Sequence, residues 1–116
     1  EGKFIYPDGT TYIGLFKDDL FSGSGEYKFS DGSRYIGQFL NGSFNGKGML
    51  IYSDGSVYKG VFKDDLPHGN GILTAKDGTV YEGEFADGKR NGLGILTLMD
   101  GTIYKGKFVN DAFVGE

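Results

Sequence analysis

The sequence predicts an all-β fold, an elongated single-layer antiparallel meander of about ten strands with one β-hairpin per repeat. Three observations lead there. The chain repeats itself every 23 residues, with no insertion or deletion between copies. Each copy alternates its side chains with the period of two that marks a strand. Glycine supplies 22 of the 116 residues and proline only two, a balance that suits many tight turns.

The repeat carries fixed landmarks. Tyr12, Tyr35, Tyr58, Tyr81 and Tyr104 recur in step with Gly14, Gly37, Gly60, Gly83 and Gly106, and with Phe16, Phe39, Phe62, Phe85 and Phe108. A Gly-x-Gly follows each head, as in Gly23 with Gly25 and Gly46 with Gly48. An Asp-Gly pair closes each copy, from Asp8-Gly9 to Asp100-Gly101. The whole chain reads as one array: a partial repeat at 1–11, full repeats at 12–34, 35–57, 58–80 and 81–103, and a partial repeat at 104–116. No window has a helical period, and each glycine would cost a helix about 1 kcal/mol.

Tyr-x-Gly-x-Phe sets its three marked residues on one strand face. The stretch after the paired glycines alternates too, with Gly25, Tyr27 and Phe29 together and Gly48, Leu50 and Tyr52 together. The length of the Asp-Gly turn decides whether the two sets meet. A two-residue turn pairs Tyr35 with Lys28 and separates the aromatics, whereas a three-residue loop, Ser30-Asp31-Gly32, pairs Tyr35 with Tyr27. Pro7-Asp8-Gly9 favours the second, since proline suits the first position of a type I turn and glycine the left-handed bulge after it. In that register Tyr12 faces Phe4, Tyr58 faces Leu50, Tyr81 faces Leu73 and Tyr104 faces Leu96. Gly37 faces Gly25, opening a low lane between rows of rings. The other connection reads as a longer loop, about Lys17 to Ser22, with turn formers such as Asp18-Asp19 and Asn41-Gly42 inside it. Phe21, Phe44 and Phe113 fall in those loops as candidate anchors, with Pro67 and Arg90 in their place elsewhere.

Composition excludes several functions. There is no cysteine, which removes disulfides and thiolate metal sites and fits a reducing compartment. No apolar run approaches the roughly 18 residues of a membrane span, and no signal peptide is visible. The net charge of −4 runs against nucleic-acid or anionic-lipid binding, both of which draw on basic excess. The single histidine, His68, has no recurring general-base partner. One Asp per repeat is too few for a calcium site, and no helix start follows the Gly-x-Gly pairs, as a phosphate loop would need. Choline- or carbohydrate-binding repeats share this richness in glycine and aromatics, but their cages favour Trp, and this chain has none. No catalytic, metal or cofactor residue is therefore assigned.

The Tyr-x-Gly-x-Phe heads, the Gly-x-Gly and the terminal Asp-Gly, all within 23 residues, resemble the MORN (membrane occupation and recognition nexus) repeat family across essentially the whole chain. The family often has Trp where every head here has Phe, and often a His before the paired glycines, kept only at His68-Gly69. The resemblance implies an elongated sheet with a groove lined by the recurring aromatics, and a scaffold role. MORN arrays occur in cytoskeletal and cortical proteins, in membrane-junction proteins and as appendages of lipid kinases and methyltransferases. Several bind peptides along the groove and some dimerise.

The expected function is a non-catalytic protein-interaction scaffold that takes an extended peptide or a second copy of the chain. A phospholipid-binding module and an accessory segment of a larger enzyme rank below it. The groove residues expected to touch the partner are Tyr12, Phe16, Tyr27, Tyr35, Phe39, Leu50, Tyr58, Phe62, Leu73, Tyr81, Phe85, Leu96, Tyr104 and Phe108. A long face of uncovered rings is the expected drive for that contact. The opposite face, with Met49, Ile51, Val57, Val61 and Ile72 near its middle, is a second candidate surface. The expected location is the cytoplasm, at the cytoskeleton or the cytoplasmic side of a membrane.

Overall fold

The structure is a computed structural model that describes residues 2–115. Eleven antiparallel strands form one sheet in chain order: β1 (Gly2–Ile5), β2 (Thr11–Lys17), β3 (Leu20–Lys28), β4 (Arg34–Leu40), β5 (Ser43–Ile51), β6 (Val57–Lys63), β7 (Leu66–Thr74), β8 (Val80–Ala86), β9 (Lys89–Thr97), β10 (Ile103–Val109) and β11 (Ala112–Gly115). There is no helix among the described residues. The array measures 46 × 24 × 17 Å, with its long axis across the strands.

The Asp-Gly connections are the three-residue loops that pair the two aromatic sets. Tyr27 faces Tyr35, Tyr12 faces both Phe4 and Tyr27, and Leu50, Leu73 and Leu96 face Tyr58, Tyr81 and Tyr104. Around Ser30-Asp31-Gly32 the Phe29 N–H donates to the Ser33 carbonyl at 2.8 Å, and Gly32 takes a left-handed φ of 97°. The Asp31 carboxylate accepts from the Ser33 N–H at 2.8 Å, and Asp8, Asp54, Asp77 and Asp100 do the same two residues on. Those backbone bonds hold all five carboxyls below their ordinary value of 3.8.

The other connection is shorter than the sequence suggests. Lys17 pairs with Leu20 and Phe16 with Phe21, leaving only Asp18-Asp19 in the turn. Both aspartates have positive φ, 53° and 66°, as a type I′ hairpin requires. Asn41-Gly42, Asp64-Asp65, Asp87-Gly88 and Asn110-Asp111 repeat this conformation. An Asp-Asp pair reads as a loose loop because neither residue is glycine, yet aspartate is among the few side chains that tolerate the left-handed region. Phe21, Phe44 and Phe113 are consequently strand residues rather than loop residues, as are Pro67, His68 and Arg90.

The long strand of each repeat also carries a bulge. Gly37 faces Gly48 but Phe39 faces Phe44, so Gly46 and Lys47 are extra on β5. Gly46 makes the bulge with a φ of 96°. Such an insertion bends the strand and strengthens its twist. The Gln38 carboxamide oxygen accepts the Lys47 N–H at 3.2 Å, and Glu84 accepts that of Leu93 at 2.7 Å in the corresponding place. The two glycines of Gly-x-Gly therefore differ in role. The first turns the backbone, and the second makes room for a ring.

Candidate functional site

That ring is the head tyrosine. Tyr35 lies along its own strand over the glycine lane, and its hydroxyl donates to the Gln38 carbonyl at 2.7 Å. Tyr12, Tyr58 and Tyr81 make the same bond to the carbonyls of Leu15, Val61 and Glu84. A Cβ placed on Gly71 would lie 2.5 Å from Tyr58 Cε1, and one on Gly60 would lie 2.5 Å from the Gly71 Cα. The lane is thus filled by phenol rings on this face.

Each tyrosine is closed off by two phenylalanines at right angles. Tyr35 meets Phe39 of its own repeat at 5.2 Å and Phe62 of the next at 4.9 Å. Tyr12–Phe39, Tyr58–Phe85 and Tyr81–Phe108 repeat the second contact at 4.9–5.0 Å. Edge-to-face pairs contribute about 0.5–1.5 kcal/mol each beyond the area they bury. The ladder of rings is continuous because each interface takes Tyr from one repeat and Phe from the following one.

The expected groove residues divide sharply as a result. Tyr12, Tyr35, Tyr58, Tyr81, Phe39, Phe62, Phe85 and Phe108 are buried by one another, none more than 4% exposed. They carry the packing of the array and offer almost no surface. Tyr27, Leu50, Leu73 and Leu96 are half-buried against them. Phe16 and Tyr104 are open, at 40% and 39%, since among the described residues no head tyrosine of an earlier repeat meets Phe16 and no head phenylalanine of a later repeat meets Tyr104. The expectation of a long uncovered ring face is corrected by this mutual shielding. Burial also pushes the Tyr35 and Tyr58 phenols up to about 12.

A second position varies the ladder. Phe21 stacks flat on Tyr12 at 3.8 Å, and Phe44 on Tyr35 at 3.9 Å. Two repeats on from Phe44 stands Arg90, whose guanidinium carbon sits 5.8 Å from the Tyr81 ring centre and 5.7 Å from that of Phe108. The turn of the next repeat clamps this position. Asp65 N–H donates to the Phe44 carbonyl at 3.0 Å, and the Asp65 carboxylate accepts the Phe44 N–H at 2.8 Å. Arg90 and Asp111 exchange the same two bonds at 2.9 Å each, with the Arg90 Nη2 also donating to the Asp111 carbonyl. Pro67 has no N–H to offer, and there the turn residue is Gly88, which makes only the backbone bond to the Pro67 carbonyl.

A broad concavity lies on the other face. The row Lys59, Ile72, Glu82, Ile95 and Lys105 runs beside the tyrosine row and so points oppositely. With the bare backbone of Gly60, Gly71, Gly83 and Gly94 it lines a trough of about 620 Å³, continued toward Ile36, Lys47 and Met49 by a further 400 Å³. Ile36, Ile72 and Ile95 are exposed in it. The alternation of the sequence marked this face as a second candidate surface. What it could not supply was the concavity itself.

Interlocked hairpins with a ring ladder on one face and a glycine-lined trough on the other define an open repeat array. The MORN repeat family model matches residues 1–11, 12–34, 35–57, 58–80 and 81–103, and the chain belongs to that family. Among curated proteins none matches the chain. MORN repeats are protein- and membrane-interaction modules without catalytic function of their own. No helix of the described residues is long and apolar enough to cross a membrane, and no group of three His, Cys, Asp or Glu among them could hold a metal ion.

Proposed function

We propose that this chain is a non-catalytic scaffold that seats an extended segment of a partner protein in the trough floored by Gly60, Gly71, Gly83 and Gly94. The observation that carries the reading is the trough itself. It is open along the array, apolar at Ile72 and Ile95, and edged by both charge signs at Lys59, Glu82 and Lys105. Backbone is exposed there between the side-chain rows, since a Cβ on any of these glycines would point to the ring face instead. The buried ring ladder supports the trough from behind, and the half-buried Tyr27, Leu50, Leu73 and Leu96 leave a shallower apolar strip on the ring face. Anionic lipid is the weaker reading, since the net charge is −4. A cytoplasmic setting, at the cytoskeleton or a membrane's cytoplasmic side, fits the absence of cysteine.

A pull-down with the chain, compared with an Ile72→Asp/Ile95→Asp variant, tests this. Both positions are more than a third exposed, and circular dichroism of the variant checks that the sheet survives two new carboxylates opposite Glu82. Partners held by the parent and lost by the variant are expected. Equal capture by both would place binding elsewhere. Light scattering over a dilution series reads whether the occupant is a second copy of the chain.

A further inference from the structure

The ring face has a hollow between Tyr6 and Asp65 that the later repeats do not build. Tyr6, Phe21, Tyr27, Phe29 and Phe44 wall a cup of about 410 Å³ with Asp65 on its rim. Tyr27 is central, with ring centres of Phe29, Phe44, Phe21 and Tyr6 at 4.8, 5.9, 6.1 and 6.2 Å. An adjoining hollow of about 270 Å³ shares Tyr6 and Phe21 and adds Asp19. No lysine or arginine lines either one. Later repeats lack the cup because Leu50, Leu73 and Leu96 stand where Tyr27 does, and Pro67 and Arg90 where Phe21 and Phe44 do.

We propose that this cup receives an arginine side chain presented by a partner protein. Aromatic faces attract cations electrostatically, and a guanidinium is flat enough to stack on them while pairing with a carboxylate. The array already holds one in this way. Arg90 lies over Tyr81 and Phe108 and pairs with Asp111, its Nε 3.6 Å from the carboxylate. Asp65 is the same turn residue two repeats earlier, with Phe44 in place of the arginine. Its carboxylate has one oxygen on the Phe44 N–H and makes no ion pair among the described residues. The negative field reaches the rings. Burial first, then Tyr6, then the charges of Asp8 and Asp65 hold the Tyr27 phenol above its ordinary value. The site is on the face opposite the trough and stands whether or not the trough is occupied.

The test is a nuclear magnetic resonance titration of the chain with N-acetyl-arginine amide, against the neutral citrulline counterpart. Saturable shifts of the Tyr6, Tyr27 and Phe44 rings are expected with arginine and not with citrulline. Asp65→Asn removes the charge while keeping an oxygen for the Phe44 N–H, and Tyr27→Leu installs the residue that later repeats use, so both variants fold. Each should weaken binding about threefold or more. Equal shifts with citrulline, tighter binding of choline than of arginine, or parent-like titration of both variants would overturn the proposal.

Discussion

A single tyrosine of the head explains most of what its repeat conserves in shape. Its ring needs Gly at two cross-strand positions, its hydroxyl needs the carbonyl three residues on, and its edge needs phenylalanine from two repeats. Gly60→Val should therefore destabilise the fold by at least about 1–3 kcal/mol, the usual range for overpacking. A Cβ there already lies 2.6 Å from the Asn70 carbonyl oxygen and 2.8 Å from the Tyr58 hydroxyl. Thermal melting measures this, and a midpoint equal to the parent's would refute the ring-over-glycine geometry. The same burial gives an alkaline limit. The Tyr35 and Tyr58 phenols have folded values of about 12 against an ordinary 10.0. The folded chain thus binds those protons more tightly than the unfolded chain does. This contribution is full below pH 10.0 and is lost as pH rises through about 12. In an alkaline titration the buried phenolates should appear together with loss of the β circular-dichroism signal. Ionisation of every phenol with the signal unchanged would contradict it.

At the scale of the hairpin, the two turn types do different work. The Asp-Gly loops fix which side chains face each other, and their role was legible because proline and glycine mark a type I turn with a bulge. The Asp64-Asp65 and Asn110-Asp111 turns lock one repeat to the next, through the exchange between Asp65 and Phe44 and between Asp111 and Arg90. That role was not legible, because it pairs residues 21 apart through a backbone N–H and a side-chain oxygen. Asp65→Ala should cost about 0.5–1.5 kcal/mol for the lost hydrogen bond, with added strain from its φ of 74°. Asp65→Asn should retain most of the stability, since the amide oxygen still accepts. Denaturant unfolding of the two variants side by side decides it, and equal stabilities would deny the clamp.

Across the whole molecule, stability accrues interface by interface, as expected of an array in which each hairpin touches mainly its neighbours. The mutual burial of the rings also changes the case for association. The ring ladder offers little apolar surface, which leaves the trough on one face and the half-buried strip and aromatic cup on the other as the accessible apolar surface. Charge at this scale predicts no co-sedimentation with anionic vesicles at about 150 mM salt, where screening extends only about 8 Å. Vesicle binding that weakens with added salt would show that Lys47, Lys59 and Lys105 in the trough outweigh the total charge of −4.

The sequence by itself determined the all-β class, the 23-residue unit and the strand pairing across the Asp-Gly loops. These follow from local rules, the alternation of strands and the chemistry of tight turns, acting on a period that never slips. The pairing across the two-residue turns, which makes Phe21 and Phe44 strand residues, came only with the structure. The tertiary structure alone decided which face is accessible. Burial of Tyr35 depends on Phe62 reaching back 27 residues, and such contacts leave the rings covered by one another while Ile36, Ile72 and Ile95 stay exposed on the opposite face.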